Sequence, residues 1–413
     1  PEPSTRSAEG SNDRRTPIGR GPAVAIGVAA LVGLLAVGTT LIARHSILDR
    51  GAVDGREAAI AVGEQTAGRE TPTRHPDALV AFQRARLQMK AGVDADPGTI
   101  MEDLRHAVEL DPDFAEAWLL LSLAHAASHH HGVADDVAIS EAWRSARRAL
   151  AIDPDLPQAQ YRMAQLHLFN DRDMAAARVA LDRVLELDPN HAEARRLSAA
   201  LYSIVGDFEA GVAEAREAKR LDPANEPTGF EERLRYMAGE RDAAIEDLKE
   251  LLAARPEAYF LRLVLLELLR AEGRQAEAWD ATRVLYEQGD ALDRLETLRV
   301  AFEDGGFARM DRLLLDELLR DREQGIQPRR QMLIAEMAVL AGDFDLAFRE
   351  LDAVAAANDP EILYLRARPL FDPLRSDPRY VELLQRLGIP EGPSSGILGT
   401  SSDDPPPILG TSG

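Results

Sequence analysis

Four histidines come closest to a metal-binding constellation in this chain. His129-His130-His131 run in series and His125 lies one helical turn earlier, so imidazole nitrogens could converge on a divalent cation. No carboxylate sits among them, although Asp135 and Asp136 follow. An exposed polar loop is the simpler reading, and no metal is assigned. Gly392-Pro393-Ser394-Ser395-Gly396 matches the Gly-x-Ser-x-Gly pattern of serine esterases. That elbow needs a strand before the serine and a helix after it, whereas here it sits in a low-complexity tail. The acidic pairs Glu231-Glu232 and Asp135-Asp136 read as solvated faces with arginine partners four residues away, not as a general acid and base. Lysine occurs only as Lys90, Lys219 and Lys249, never in Gly-Lys-Ser/Thr, which excludes a phosphate-binding loop. Cysteine is absent, which removes thiolate metal sites, iron–sulfur clusters, disulfides and cysteine nucleophiles. No catalytic residue and no cofactor is expected, and the chain reads as a non-enzyme.

The charge excludes another class. With 48 Lys+Arg against 70 Asp+Glu, the 413 residues carry a net charge of −22. Such a surface repels a phosphate backbone, so no nucleic acid is expected as a partner. Aromatics make up 5%, thin for a compact α/β enzyme. The length exceeds one ordinary domain unless a repeat array extends a single core in one dimension. The first residue is Pro1 rather than Met, which predicts a fragment or a processed product.

One segment predicts a membrane span. Residues Pro22–Ala43 read PAVAIGVAALVGLLAVGTTLIA without a charge, and about 20 apolar residues cross a bilayer core as a helix. A cleaved signal peptide would have a shorter apolar stretch and a small-x-small cleavage site, for which Leu41-Ile42-Ala43 is a poor fit. Residues 1–21 read as a disordered tail and 44–75 as a linker. Arg14, Arg15 and Arg20 precede the span while Arg44, Arg50 and Arg56 follow it. Tighter spacing and Arg6 on the N-terminal side tip the balance towards N-terminus in, with the large acidic part outside. The chain is thus expected in a bacterial inner membrane with its bulk periplasmic or extracellular. The small residues Ala25, Ala29 and Gly33 leave a homodimer open.

A repeat organises the rest. Leu/Ile-Asp-Pro recurs at 110–112, 152–154, 187–189 and 221–223, with Arg255-Pro256 as a worn copy. The prolines are spaced 154 − 112 = 42, 189 − 154 = 35, 223 − 189 = 34 and 256 − 223 = 33. The glycines Gly206, Gly239, Gly273, Gly306 and Gly342 give a second ruler, spaced 33, 34, 33 and 36. Two rulers near 34 give the tetratricopeptide period, one helix–turn–helix per unit. Small residues recur where paired helices cross: Ala107, Ala149 and Ala218 five before their prolines, and Ala142, Ala177 and Ala244 twelve before. The expected fold is all-α: a right-handed α-solenoid of about eight helix pairs over 76–357, preceded by one transmembrane helix. Its pairs at 291–322 and 328–357 are degenerate, and the 42-residue step reflects an insertion near Ser128–Val137. A cap at 358–388 is expected to close the apolar end, followed by a disordered tail at 389–413.

The span, the repeats and the closing FDPLRSDPRYVELLQRLG (Phe371–Gly388) together resemble the extracytoplasmic half of bacterial CadC-type winged-helix regulators. The same kind of repeat half occurs behind bacterial Ser/Thr kinases. The resemblance covers residues 22–388 and implies a DNA-binding or kinase head upstream of Pro1. A helix-pair solenoid offers a concave groove to a protein or peptide ligand. In this register the groove includes Leu119, Leu123, Tyr161, Gln165, Leu168, Arg196, Ala200, Leu263 and Glu267. A membrane-anchored interaction scaffold is the first expectation, and a sensory half of a regulator or kinase the second.

Overall fold

The computed structural model describes residues 73–91, 97–129, 135–223, 228–289, 291–325 and 330–390. The span at 22–43, most of the linker, the tail from 391, and His130 and His131 lie outside the described residues. Among the described residues no helix is long and apolar enough to cross a membrane.

What is described is helical throughout, in eight antiparallel pairs. They are α1 (Pro76–Ala91) with α2 (Pro97–Leu110), α3 (Ala115–His129) with α4 (Asp135–Ile152), and α5 (Pro157–Leu166) with α6 (Met174–Leu187). Next come α7 (Ala192–Val205) with α8 (Phe208–Leu221), α9 (Phe230–Met237) with α10 (Arg241–Ala254), and α11 (Tyr259–Ala271) with α12 (Gln275–Gln288). The seventh pair is one continuous element, α13 (Leu292–Glu323), broken into two helices at Gly305–Gly306. The eighth is α14 (Gln331–Leu340) with α15 (Phe344–Ala356), and α16 (Pro378–Arg386) closes the chain.

Both rulers mark turns with a physical cause. At Leu-Asp-Pro the aspartate amide makes the last helical bond, as in Asp188 N to Val184 O at 2.8 Å, and the proline then stops the ladder. The Asp188 carboxylate next accepts the amide of Asn190, and Asp111 and Asp153 repeat this geometry. The next helix locks onto the turn: Trp118, Gln160, Arg195 and Arg262, each six residues after its proline, donate to that proline's carbonyl. At the second ruler Gly206 and Gly342 adopt φ of 84° and 74°, which a side chain would oppose. Asp207 and Asp343 then cap the following helices through Ala210 N and Leu346 N. Arg172, 34 residues before Gly206, holds the same left-handed turn at φ 56° without a glycine.

The core falls into two large clusters. One gathers residues of α1–α5, from Ala78 to Ala159, and the alanines Ala107 and Ala149 let its helices meet closely. The other runs from Ala164 to Ile389, near the end of the described residues. After α15 the chain turns at Asn358 (φ 53°) and enters a strap of two 3-10 segments, Pro360–Ala367 and Pro369–Leu374. The strap lies against α7, α9, α11 and α14, the first helices of their pairs and therefore the inner wall of the solenoid. Ile362, Leu363, Leu365, Phe371 and Leu374 are fully buried there. Five such side chains contribute on the order of 10 kcal/mol of gross burial energy, an upper figure before chain entropy. The expected cap at 358–388 is thus in large part a wall-lining element. α16 joins α15 through Arg379–Asp345 and Arg386–Asp352 and buries Tyr380, Leu383 and Leu384 in the second cluster.

The strap also ties the last pair to the third. Arg172 donates to Ala355 O at the end of α15 (3.1 Å), and Asn358 Nδ2 reaches Asn170 O (3.4 Å). Arg366 donates to Val205 O at the C-terminus of α7 (3.1 Å), where a cation is favoured.

Candidate functional site: the inner wall and its cavity

The glycine ruler places three charges on the inner wall, and the strap adds a fourth. Residues six before the turn glycine are Arg233 (239 − 6), Glu267 (273 − 6) and Glu336 (342 − 6). They lie on α9, α11 and α14, and all are buried, with exposures of 5%, 8% and 1%. One helix position repeated along a solenoid forms a column, so these side chains converge. The strap supplies the fourth member, Arg368, 3% exposed. It precedes Pro369, which biases it to extended backbone (φ −122°, ψ 116°) between the two 3-10 segments. Arg233 Nη2 lies 2.9 Å from Glu267, while Arg368 lies 2.5 Å from Glu336 and 3.5 Å from Glu267. Two cations and two anions thus alternate across three helices and the strap. Burial lowers the Arg233 pKa against the pull of Glu267. For Arg368 burial acts the same way, but Glu336 and Glu267 outweigh it and the net shift is upward. Both guanidiniums stay charged.

Beside this cluster a cavity of about 380 Å³ opens between α11, the second half of α13, α14 and the strap. Its floor is apolar, with Leu263, Met310, Leu314 and Met337, and the strap contributes Pro369 and Leu370. Its polar wall holds Glu267, Asp311, Arg270 and Tyr236. The cavity has a sequence cause. Five residues after the turn glycine most units place a small residue: Gly211, Ala244, Ala278 and Ala347. The seventh places Asp311. Asp311 is 1% exposed and salt-bridged to Arg270 of α11, whose guanidinium lies 4.4 Å from the centre of the Phe307 ring. Burial raises the Asp311 pKa against the pull of Arg270. Burial and a 2.6 Å hydrogen bond to Glu272 push the Tyr236 phenol up. Both carboxylate oxygens of Glu267 are buried behind the cavity wall, facing Arg233 at 2.9 Å and Arg368 at 3.5 Å.

The nine groove residues do not form one surface. Leu263 and Glu267 line the cavity. Leu119 and Leu123 are buried on α3 within the first cluster, and Leu168 and Ala200 within the second. Tyr161 is half-buried with its ring 5.3 Å from His191, and Gln165 accepts from Arg162 (3.2 Å). Arg196 bridges Glu193 and Asp222. The acidic pair Glu231-Glu232 corrects its sequence reading. Glu231 bonds Arg216 and Lys219 of the preceding helix, and Glu232 is 4% exposed, where burial raises its pKa. His125 is buried, which lowers its pKa. Among the described residues no group of three or more His, Asp or Glu is placed to hold a metal.

No family model matches the chain, and no curated protein does. Among solved structures, a tetratricopeptide repeat protein from Parabacteroides merdae is similar at 13% identity and a TM-score of 0.43, covering 70% of this chain and 98% of its own. The P58(IPK) TPR domain is similar at 16% identity and a TM-score of 0.21, covering 73% of this chain and 99% of its own.

Proposed function

We propose that this chain is a tetratricopeptide-type interaction scaffold, anchored in a bacterial membrane through 22–43, that binds a protein or peptide by one side chain rather than along a whole groove. The observation that carries the reading is the inner wall itself. The strap stays with the wall, because five of its side chains are fully buried against the inner helices. The 380 Å³ cavity beside it is ligand-sized. An apolar floor of Leu263, Met310, Leu314 and Met337 suits an apolar side chain. Ala271 sits exposed at the cavity's edge and is the place to plug it. Peptides selected from a displayed library on the full chain should lose binding to Ala271→Trp at unchanged helicity. Undiminished binding would remove the cavity from the proposal.

A second reading, the extracytoplasmic sensory half of a regulator or kinase, draws on the closing segment. Phe371 and Leu374 are buried wall residues there, so the segment behaves as part of the domain. Both readings place the solenoid outside the cytoplasm. A reporter active only outside, fused after Gly388, should be active; activity of an inside-only reporter instead would remove the sensory reading.

A further inference from the structure

We infer that copies of this chain associate head to tail, with the outer face of α1 of one copy docking on the first half of α13 of the next. Six large apolar side chains are strongly exposed among the described residues, and four of them form two pairs. Val80 and Leu87 lie on α1, 62% and 63% exposed; Leu292 and Val300 lie on α13, 58% and 54% exposed. Spacings of 87 − 80 = 7 and 300 − 292 = 8 put each pair on one helix face, with separations along the axis that agree within about 1.5 Å. Among the described residues nothing covers either face. α1 is the first described helix, and Leu79, Val80, Gln83 and Leu87 line a shallow cleft on it. Val300 occupies the position six before Gly306, where the other late units carry the buried charges.

Charge selects the occupant. A chain with a net charge of −22 repels its own copies, except where a basic patch meets an acidic one. α1 carries Arg84, Arg86 and Lys90 against Asp77, and Arg84 is already paired with Asp103 of α2, which leaves 2 − 1 = +1. The stretch 292–304 carries Arg294 and Arg299 against Asp293, Glu296, Glu303 and Asp304, and Arg294 is already paired with Glu317, which leaves 1 − 4 = −3. An α1–α1 pairing would set +1 against +1 and an α13–α13 pairing −3 against −3, so the heterologous contact is favoured. Because the two faces differ, it propagates as an open row or a closed ring.

The absence of cysteine makes the test clean. Full chains bearing Leu87→Cys and full chains of another tag mass bearing Val300→Cys are mixed and mildly oxidised. The mixed 87–300 disulfide should exceed both homotypic products, and should exceed a collision control at the exposed Val179→Cys by at least about tenfold. Val80→Glu in the Leu87→Cys copy should lower the mixed product about tenfold, since a charge then enters the apolar contact. A dominant 87–87 product, or mixed product at the collision level, would overturn the inference.

Discussion

The first two pairs and the last five are built on one repeat but held by different forces. In α1–α5 alanines at fixed positions set the helix separation of the core from Ala78 to Ala159, and the buried Asp103 finds its partner, Arg84, within its own helix pair. In α7–α15 the corresponding wall carries Arg233, Glu267 and Glu336, and the strap covers it with Arg368. The difference teaches that a repeat period fixes backbone geometry without fixing what the inner wall offers. An apolar wall needs only neighbours from its own repeat. A charged wall needs a partner of opposite charge, and here that partner comes from 101 residues after Glu267, at Arg368.

The largest break in this contrast is Arg368→Met. It leaves Glu267 and Glu336 each short of one cation, at a cost of about 3–5 kcal/mol. Urea unfolding should show the loss in the transition of the second cluster, while the transition of α1–α5 stays in place. A loss below about 1 kcal/mol would mean that the charges are not coupled through the strap. Next in size is the paired comparison Phe371→Ala and Leu104→Ala. Both side chains are fully buried, and each truncation should cost about 3–5 and 2–5 kcal/mol respectively. Faster amide exchange should be confined to α7–α16 in the first and to α1–α5 in the second. Spread of either effect across both regions would dissolve the distinction.

Those two regions were not equally legible. The proline and glycine rulers locate the helix pairs because each marks a backbone need: a stop for the ladder, or a left-handed turn. The six-before-glycine column is also present in the sequence: Glu267 stands among the groove residues of the repeat register, while Arg233 and Glu336 do not. Their burial depends on Arg368, and no period links a strap residue to the units it covers. Ile362, Leu363 and Leu365 carried no helical signal because they belong to a 3-10 segment, so 358–388 read as an end cap. Asp311 was hidden because its unit was set aside as degenerate, although it stands where most other units have a small residue. Of the groove residues, Leu263 and Glu267 come to the cavity, whereas Leu119, Leu123, Leu168 and Ala200 are packed into the two cores.

A smaller effect sharpens the origin of the cavity. Asp311→Ala should cost about 2 kcal/mol by stranding Arg270, whereas Arg270→Met with Asp311→Ala should be near neutral, since a buried pair is readily replaced by apolar groups. If the double variant loses as much as the single, Asp311 stabilises by something other than its pairing. The smallest effect is on pH. Burial would raise the Glu193 pKa, but a hydrogen bond from His191 and the nearby Arg196 outweigh it and bring it to about 2, from an ordinary 4.5. A depressed carboxylate stabilises above pH 4.5, and its contribution is lost as pH falls towards 2. Glu193→Gln should therefore flatten the acid limb of stability between those values; an unchanged limb would place the acid sensitivity elsewhere.

The central claim is that the strap is a permanent part of the inner wall rather than a removable ligand. Hydrogen exchange of the full chain measures this directly, peptide by peptide, with and without a bound library-selected peptide. Amides of 360–374 should be as protected as those of α11 and α14, and should stay so when the peptide binds. Fast exchange of the strap, or its release on peptide binding while α11 stays protected, would contradict the claim and return the whole inner wall to the partner.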